Sequence, residues 1–108
     1  MLFRSGAVKL TGEGYGELKR VYVAPDARRR GIGGRIVASL ERFLLTRGID
    51  LVRLETGIRQ PEAIALYESC GYGRIAPFAD YPDDQLGVYM EKRLRAPARR
   101  EALAASRR

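Results

Sequence analysis

The stretch VYVAPDARRRGIGGRIVASLERFL, residues 21–44, decides the fold. It passes from β-branched and aromatic residues, through a proline, into three consecutive arginines, two closely spaced glycines and an apolar-periodic run. Pro25 offers no N–H to a ladder, so it ends a strand. From Ile32 onward Ile36, Val37, Leu40, Phe43 and Leu44 recur at helical spacing, which predicts a helix over 32–47 with Gly48 as its stop. At the junction, Gly31 and Gly33 carry no side chains, so a ligand oxygen can come close to the backbone N–H groups. Those groups open a helix, lack intrahelical acceptors and sit at the positive end of its dipole. The result is an anion cradle suited to a pyrophosphate. Arg28, Arg29 and Arg30 add charge, although their forked side chains cannot all face inward.

Three readings of RRRGIGGR are open on these residues alone. One is a glycine-tolerant turn with solvated arginines. A second is a dinucleotide fold, since Gly31-Ile32-Gly33 begins a G-x-G-x-x-G pattern. Its third glycine would fall at Ile36, however, and the strand before it is too charged for the buried centre of a parallel sheet. A P-loop is excluded because no Gly-Lys-Ser/Thr follows. The third reading is an acyl-CoA loop, taken up below.

Upstream, GAVKL (6–10) and YGELKRVYV (15–23) are two β-like runs joined by the glycine-rich TGEGYG, which suits a hairpin. The second run alternates, with Leu18, Arg20 and Tyr22 on one face and Glu17, Lys19, Val21 and Val23 on the other. Downstream, DLVRLETG (50–57) reads as a strand. QPEAIALYESCGY opens a helix over 60–71 with Pro61 and Glu62, both favoured in a first turn, and Gly71 closes it. Short runs at 72–75 and 86–94 complete a sheet. The order β-β-α-β-α-β-β predicts an α/β domain with mixed strand directions.

The totals bound the class. A chain of 108 residues, 45% apolar and 31% charged, reads as one small soluble domain. No run approaches the roughly 18 apolar residues of a membrane span, and the N-terminus lacks a secretory leader's pattern. The single cysteine, Cys70, excludes an internal disulfide and fits a reducing cytoplasm. With no histidine there is no imidazole base, no Ser-His-Asp triad, no Cys-His pair and no ordinary zinc site, so no metal is expected. Of the net charge of +7, the last fourteen residues, RAPARREALAASRR, carry +4, so residues 95–108 read as a basic, solvated tail on a domain spanning 1–94. Aromatic and basic residues do not interleave along a stacking surface, which argues against nucleic acid as a partner.

The third reading rests on two blocks. Arg28-Arg29-Arg30-Gly31-Ile32-Gly33 fits the Gln/Arg-x-x-Gly-x-Gly/Ala pattern of the acyl-CoA loop in the Gcn5-related N-acetyltransferase (GNAT) family, after a strand and opening a helix. AIALYESCGY resembles that family's later helix, with its Leu-Tyr and following Gly-aromatic pair. The chain resembles the family over roughly residues 6–94. The resemblance implies a mixed, mostly antiparallel sheet with a central splayed parallel strand pair and two main helices, here in truncated form. It also implies acetyl-CoA as cosubstrate and an amine-bearing acceptor, with direct attack of the amine on the thioester. The alternative is a CoA-binding or interaction module that has lost turnover.

Carried over position by position, main-chain atoms of Val21, Tyr22 and Val23 would hold the pantetheine arm. Arg28, Arg29, Arg30, Gly31, Ile32, Gly33 and Gly34 would hold the pyrophosphate. Tyr67 matches the tyrosine beside the CoA sulfur, and a phenol near 10 suits a donor to a departing thiolate; it equally suits an aromatic anchor for its helix. Glu17 matches a strand carboxylate used as general base, a role that requires burial, because an exposed glutamate is a poor base for an ammonium. A surface charge paired with Lys19 or Arg20 is the alternative. Glu55 is the reserve candidate. Cys70, in the last turn of a helix with no histidine to activate it, reads as packing. Asp80, Asp83 and Asp84 could line a pocket for a cationic amine, or simply form a solvated turn. Family members normally carry a further strand and two helices ahead of the hairpin. Only sixteen residues precede Glu17 here, so a missing front layer is expected, with a second copy of the chain, as a homodimer, completing it.

Overall fold

In a computed structural model of the chain, residues 2–3, 6–19 and 31–94 are described. Among these residues, six strands form one sheet and two helices lie against it. The strands are β1 (Leu2–Phe3), β2 (Gly6–Leu10), β3 (Gly16–Lys19), β4 (Leu51–Gly57), β5 (Gly73–Ile75) and β6 (Gly87–Arg93), and the helices are α1 (Ile32–Thr46) and α2 (Pro61–Ser69). The sheet order is β1-β2-β3-β4-β6-β5. The predicted hairpin is β2–β3, with Val8 opposite Leu18 and Lys9 opposite Glu17. Thr11 closes the turn: its hydroxyl donates to the Tyr15 carbonyl at 2.7 Å and accepts from the Glu13 N–H at 3.2 Å.

β3 and β4 run parallel, with Gly16, Glu17 and Leu18 opposite Val52, Arg53 and Leu54. Every other pairing is antiparallel, the longest being the full length of β4 against β6. The mixed, mostly antiparallel sheet with one central parallel pair is therefore present. The pair's continuation past Lys19 lies outside the described residues, as do Pro25, Arg20 and the tail 95–108. β1 was not anticipated, because two residues are too few to show an alternation.

Both helices stop through the same device. Gly48 and Gly71 take left-handed backbone, φ +74° and +96°. At the end of α1, Gly48 N–H donates to Leu45 O and Ile49 N–H to Leu44 O; at the end of α2, Gly71 N–H donates to Glu68 O and Tyr72 N–H to Tyr67 O. A Cβ at either glycine would be strained, and the paired bonds satisfy carbonyls that the helix leaves open.

Strand alternation sorts the side chains onto two faces. Toward the helices lie Val8, Leu18, Val52, Leu54, Val88 and Met90, packed against Val37, Leu40 and Leu44 of α1 and Ile64 and Tyr67 of α2. Leu40, Leu44 and Met90 have no exposed surface. Each such side chain contributes about 1.5–3 kcal/mol of apolar burial. The opposite face carries a smaller aromatic group, Tyr15, Phe78 and Tyr89, with Leu51, Ile75 and Tyr81 packed against it. Phe78 and Tyr81 come from the connection between β5 and β6, which folds back over that face. Glu17 and Tyr67 therefore belong to opposite sides of the sheet.

Candidate active site

β3 delivers Glu17 onto the aromatic face, next to β4. The residue is buried, only 3% exposed. Tyr81 donates its hydroxyl to Glu17 Oε2 at 2.5 Å, and Lys19 Nζ lies 3.1 Å from the same oxygen. Lys19 Nζ also donates to Tyr81 Oη at 2.7 Å. The three groups form a closed triangle in which Oε2 makes both contacts with the carboxylate. The hydrogen bond to Tyr81, followed by the bond to Glu17, holds Lys19 above its ordinary value of 10.5 against the opposing effect of burial. Burial, reinforced by Glu17, raises Tyr81. Opposite Glu17 on β4 is Arg53, whose guanidinium lies 4.7 Å over the Tyr15 ring and 5.7 Å over Phe78, with Nε donating to Glu91 at 3.1 Å.

On the helix face, α2 places Tyr67 in the core, 7% exposed, with its ring edge-on to Tyr72 at 5.9 Å. Among the described residues its hydroxyl has no hydrogen-bond partner, and no buried side-chain oxygen lacks one. Burial, with a smaller contribution from Cys70, pushes the phenol up to about 12. Tyr67 therefore keeps its proton throughout the neutral range. Relative to the phenol near 10 expected from sequence, it is a weaker acid and remains a hydrogen-bond donor.

Among the described residues, no side chain caps the N-terminus of α1. Gly31 is the cap residue, with φ +71° and no side-chain cap, and the first helical bond runs from Arg35 N–H to Gly31 O at 3.1 Å. The N–H groups of Ile32, Gly33 and Gly34 precede that bond and have no intrahelical acceptor. No acidic residue occupies the first turn, where a carboxylate would normally compensate the dipole. A Cβ on Gly31 or Gly34 would meet nothing within 4 Å. Donors, positive potential and empty space together suit a bound anion.

The sequence profile described as "Acetyltransferase (GNAT) family" matches residues 3–72. The chain belongs to the GNAT family. It is 41% identical over 90 residues to the IAA acetyltransferase of Azospirillum brasilense, covering 82% of this chain and 59% of that protein. A crystal structure from Klebsiella pneumoniae, described as an acyl-CoA N-acyltransferase, superposes with a TM-score of 0.80 at 47% identity, covering 83% of this chain and 62% of that one. A Bacillus subtilis acetyltransferase solved in complex with CoA shares the fold, with a TM-score of 0.67 at 17% identity over 83% of this chain and 68% of its own. The chain thus spans about three fifths of the length of the first two.

Of the residues singled out from sequence, Glu17, Tyr67, Gly31, Ile32, Gly33 and Gly34 are placed as above. Val21, Tyr22, Val23, Arg28, Arg29 and Arg30 lie outside the described residues. The reading of Glu17 as a surface charge is corrected: it pairs with Lys19 as that reading required, but inside the protein. Glu55 is exposed. Cys70 is half-buried against the helix-face core, and its thiol is raised, mainly by burial. Asp80, Asp83 and Asp84 are exposed, and Asp84 accepts from Leu86 N–H at 3.0 Å, which gives it a turn role. Tyr81 was missed. Its only sequence signal is the spacing Phe78-x-x-Tyr81 within FADYPDDQLG, an aromatic pair embedded in acidic turn residues. Among the described residues no cluster could hold a metal ion, and no helix is long and apolar enough to cross a membrane.

Proposed function

We propose that this chain supplies the catalytic framework of an N-acetyltransferase that moves acetyl from acetyl-CoA to a primary amine by direct attack on the thioester. The observation that carries the reading is the buried Glu17 carboxylate on the parallel strand pair. It stands on the opposite side of the sheet from the core tyrosine, Tyr67, in a chain whose first helix opens on bare amides. The family membership and the CoA complex of the B. subtilis neighbour support the choice of cosubstrate.

The N–H groups of Ile32, Gly33 and Gly34 would hold the pyrophosphate, with Arg28, Arg29 and Arg30 contributing charge. Main-chain groups of Val21, Tyr22 and Val23 would hold the pantetheine arm. Acetyl-CoA supplies the acetyl group and the leaving thiolate. Glu17 takes one proton from the acceptor's ammonium, freeing the nitrogen lone pair to attack the carbonyl carbon. The C–N bond forms, the C–S bond breaks and the sulfur departs with its electron pair. Tyr67 donates a hydrogen bond to that sulfur, and the second nitrogen proton neutralises it. A phenol near 12 stabilises developing charge through this bond while remaining protonated.

Thermal shift with CoA, followed by thiol release from acetyl-CoA across a panel of polyamines, amino acids, aminoglycosides and peptide N-termini, tests the reading. Stabilisation by CoA and turnover of at least one amine are expected. Glu17→Gln should lower kcat by about 10²–10⁴-fold, the span of general-base contributions. Tyr67→Phe should lower kcat more than it weakens CoA binding. Stabilisation without thiol release from any amine would leave a CoA-binding module, and no stabilisation would overturn both.

A further inference from the structure

Resting on the reading of Glu17 as the base, we infer that Tyr81 is the positioning residue that fixes the Glu17 carboxylate for proton abstraction. Lys19 is its partner, and the β5–β6 connection is its carrier. A carboxylate on a short strand can rotate about its terminal torsion, and either oxygen can point at the acceptor. Here the rotation is constrained. Tyr81 donates to Oε2 at 2.5 Å and Lys19 Nζ sits 3.1 Å from the same atom, so among the described residues both polar contacts of the carboxylate fall on one oxygen. The Tyr81 bond has the length of a strong charge-assisted bond, which sets direction as well as energy.

The connection is built to deliver that hydroxyl. Phe78 packs edge-on to Tyr15, Tyr81 and Tyr89, and Tyr81 also meets Tyr89 at 5.6 Å. Tyr89 donates its hydroxyl to the Pro82 carbonyl at 2.8 Å, tying down the residue after Tyr81. Tyr81 N–H donates to Phe78 O at 3.2 Å across a turn in which Ala79 takes left-handed backbone, φ 53°. The charged groups facing Glu17 from the neighbouring strands, Lys9 on β2 and Arg53 on β4, are otherwise placed: Lys9 is exposed and Arg53 is bound to Glu91. Among the described residues, Tyr81 is thus the polar contact to Glu17 that comes from outside the sheet, 64 positions away in the chain.

The test uses the full chain carrying Tyr81→Phe, which removes one oxygen and keeps the ring in its stack. With the fastest amine of the panel, kcat should fall about 10- to 100-fold, the cost of misplacing a catalytic group, while KM for acetyl-CoA stays within about twofold. The infrared carboxylate band of Glu17, isolated as the difference between the parent and Glu17→Gln, should move in the Tyr81→Phe background. An unmoved band, or a kcat within about twofold of the parent while Glu17→Gln is inactive, would overturn the role of Tyr81. Full activity in Glu17→Gln would instead remove the reading of Glu17 as base, and the positioning role with it.

Discussion

Gly16 on β3 and Leu44 on α1 meet so closely that a Cβ at position 16 would stand 2.5 Å from Leu44 Cδ2 and 2.8 Å from Cδ1. Leu44 has no exposed surface, so its methyls could turn aside only against other core atoms. The contact sets how near α1 lies to the strand that carries Glu17 at the next position. Gly16→Ala should therefore destabilise the chain by about 1–3 kcal/mol, the usual cost of overpacking a filled core. Pairing it with Leu44→Val should recover part of that loss, so the two changes should be less than additive in urea denaturation.

Glu41 on α1 ties the helix to β6 across the face of the sheet that the helices cover. Its carboxylate accepts from Lys92 Nζ on β6 at 3.1 Å and from the Tyr72 hydroxyl at 2.9 Å. Removing the carboxylate leaves two donors without an acceptor, whereas removing the Tyr72 hydroxyl leaves the ion pair intact. Glu41→Ala should cost about 1.5–3 kcal/mol and Tyr72→Phe about 0.5–1.5 kcal/mol in the same assay. Equal losses would mean that Lys92 does not bind Glu41 in solution.

The elements whose causes are local were legible in the sequence. The apolar spacing from Ile36 to Leu44 and the glycines at 48 and 71 place both helices to within two residues, because periodicity and the left-handed stop act within a few positions of each other. Alternation in β3 correctly puts Leu18 and Glu17 on opposite faces. It does not show that the Glu17 face is covered. That cover comes from Phe78 and Tyr81, brought back by the path of a connection with no periodicity, so the burial of Glu17 and its bond to Tyr81 are tertiary facts. The phenol of Tyr67 illustrates the same limit: its identity is local, while its rise to about 12 depends on what buries it.

That rise has a consequence at alkaline pH. Burial lifts Tyr67 from 10.0 to about 12, so between these values the folded chain keeps a proton that the unfolded chain has lost. Its contribution to stability is complete below about pH 10 and disappears as pH climbs through about 12, amounting to about 2–3 kcal/mol at most. Lys19, also raised, acts in the same direction. Unfolding free energy should decline from pH 9.5 to 11.5 in the parent and decline less steeply in Tyr67→Phe. Parallel profiles would show that Tyr67 is not the titrating group.

At the mouth of α1, stability and ligand binding should respond in opposite directions. Gly34 lies in the first turn of the helix, and a Cβ there would meet nothing within 4 Å. Gly34→Ala replaces the most flexible residue with the best helix former, so it should leave the fold equally stable or up to about 1 kcal/mol more stable. The added methyl, and more so the side chain of Gly34→Leu, occupies space that a diphosphate needs in order to reach the amides of Ile32, Gly33 and Gly34. Both variants should melt at or above the parent temperature without ligand, and the rise on adding CoA should shrink in Gly34→Ala and vanish in Gly34→Leu. A full CoA response from Gly34→Leu would place the diphosphate elsewhere on the protein.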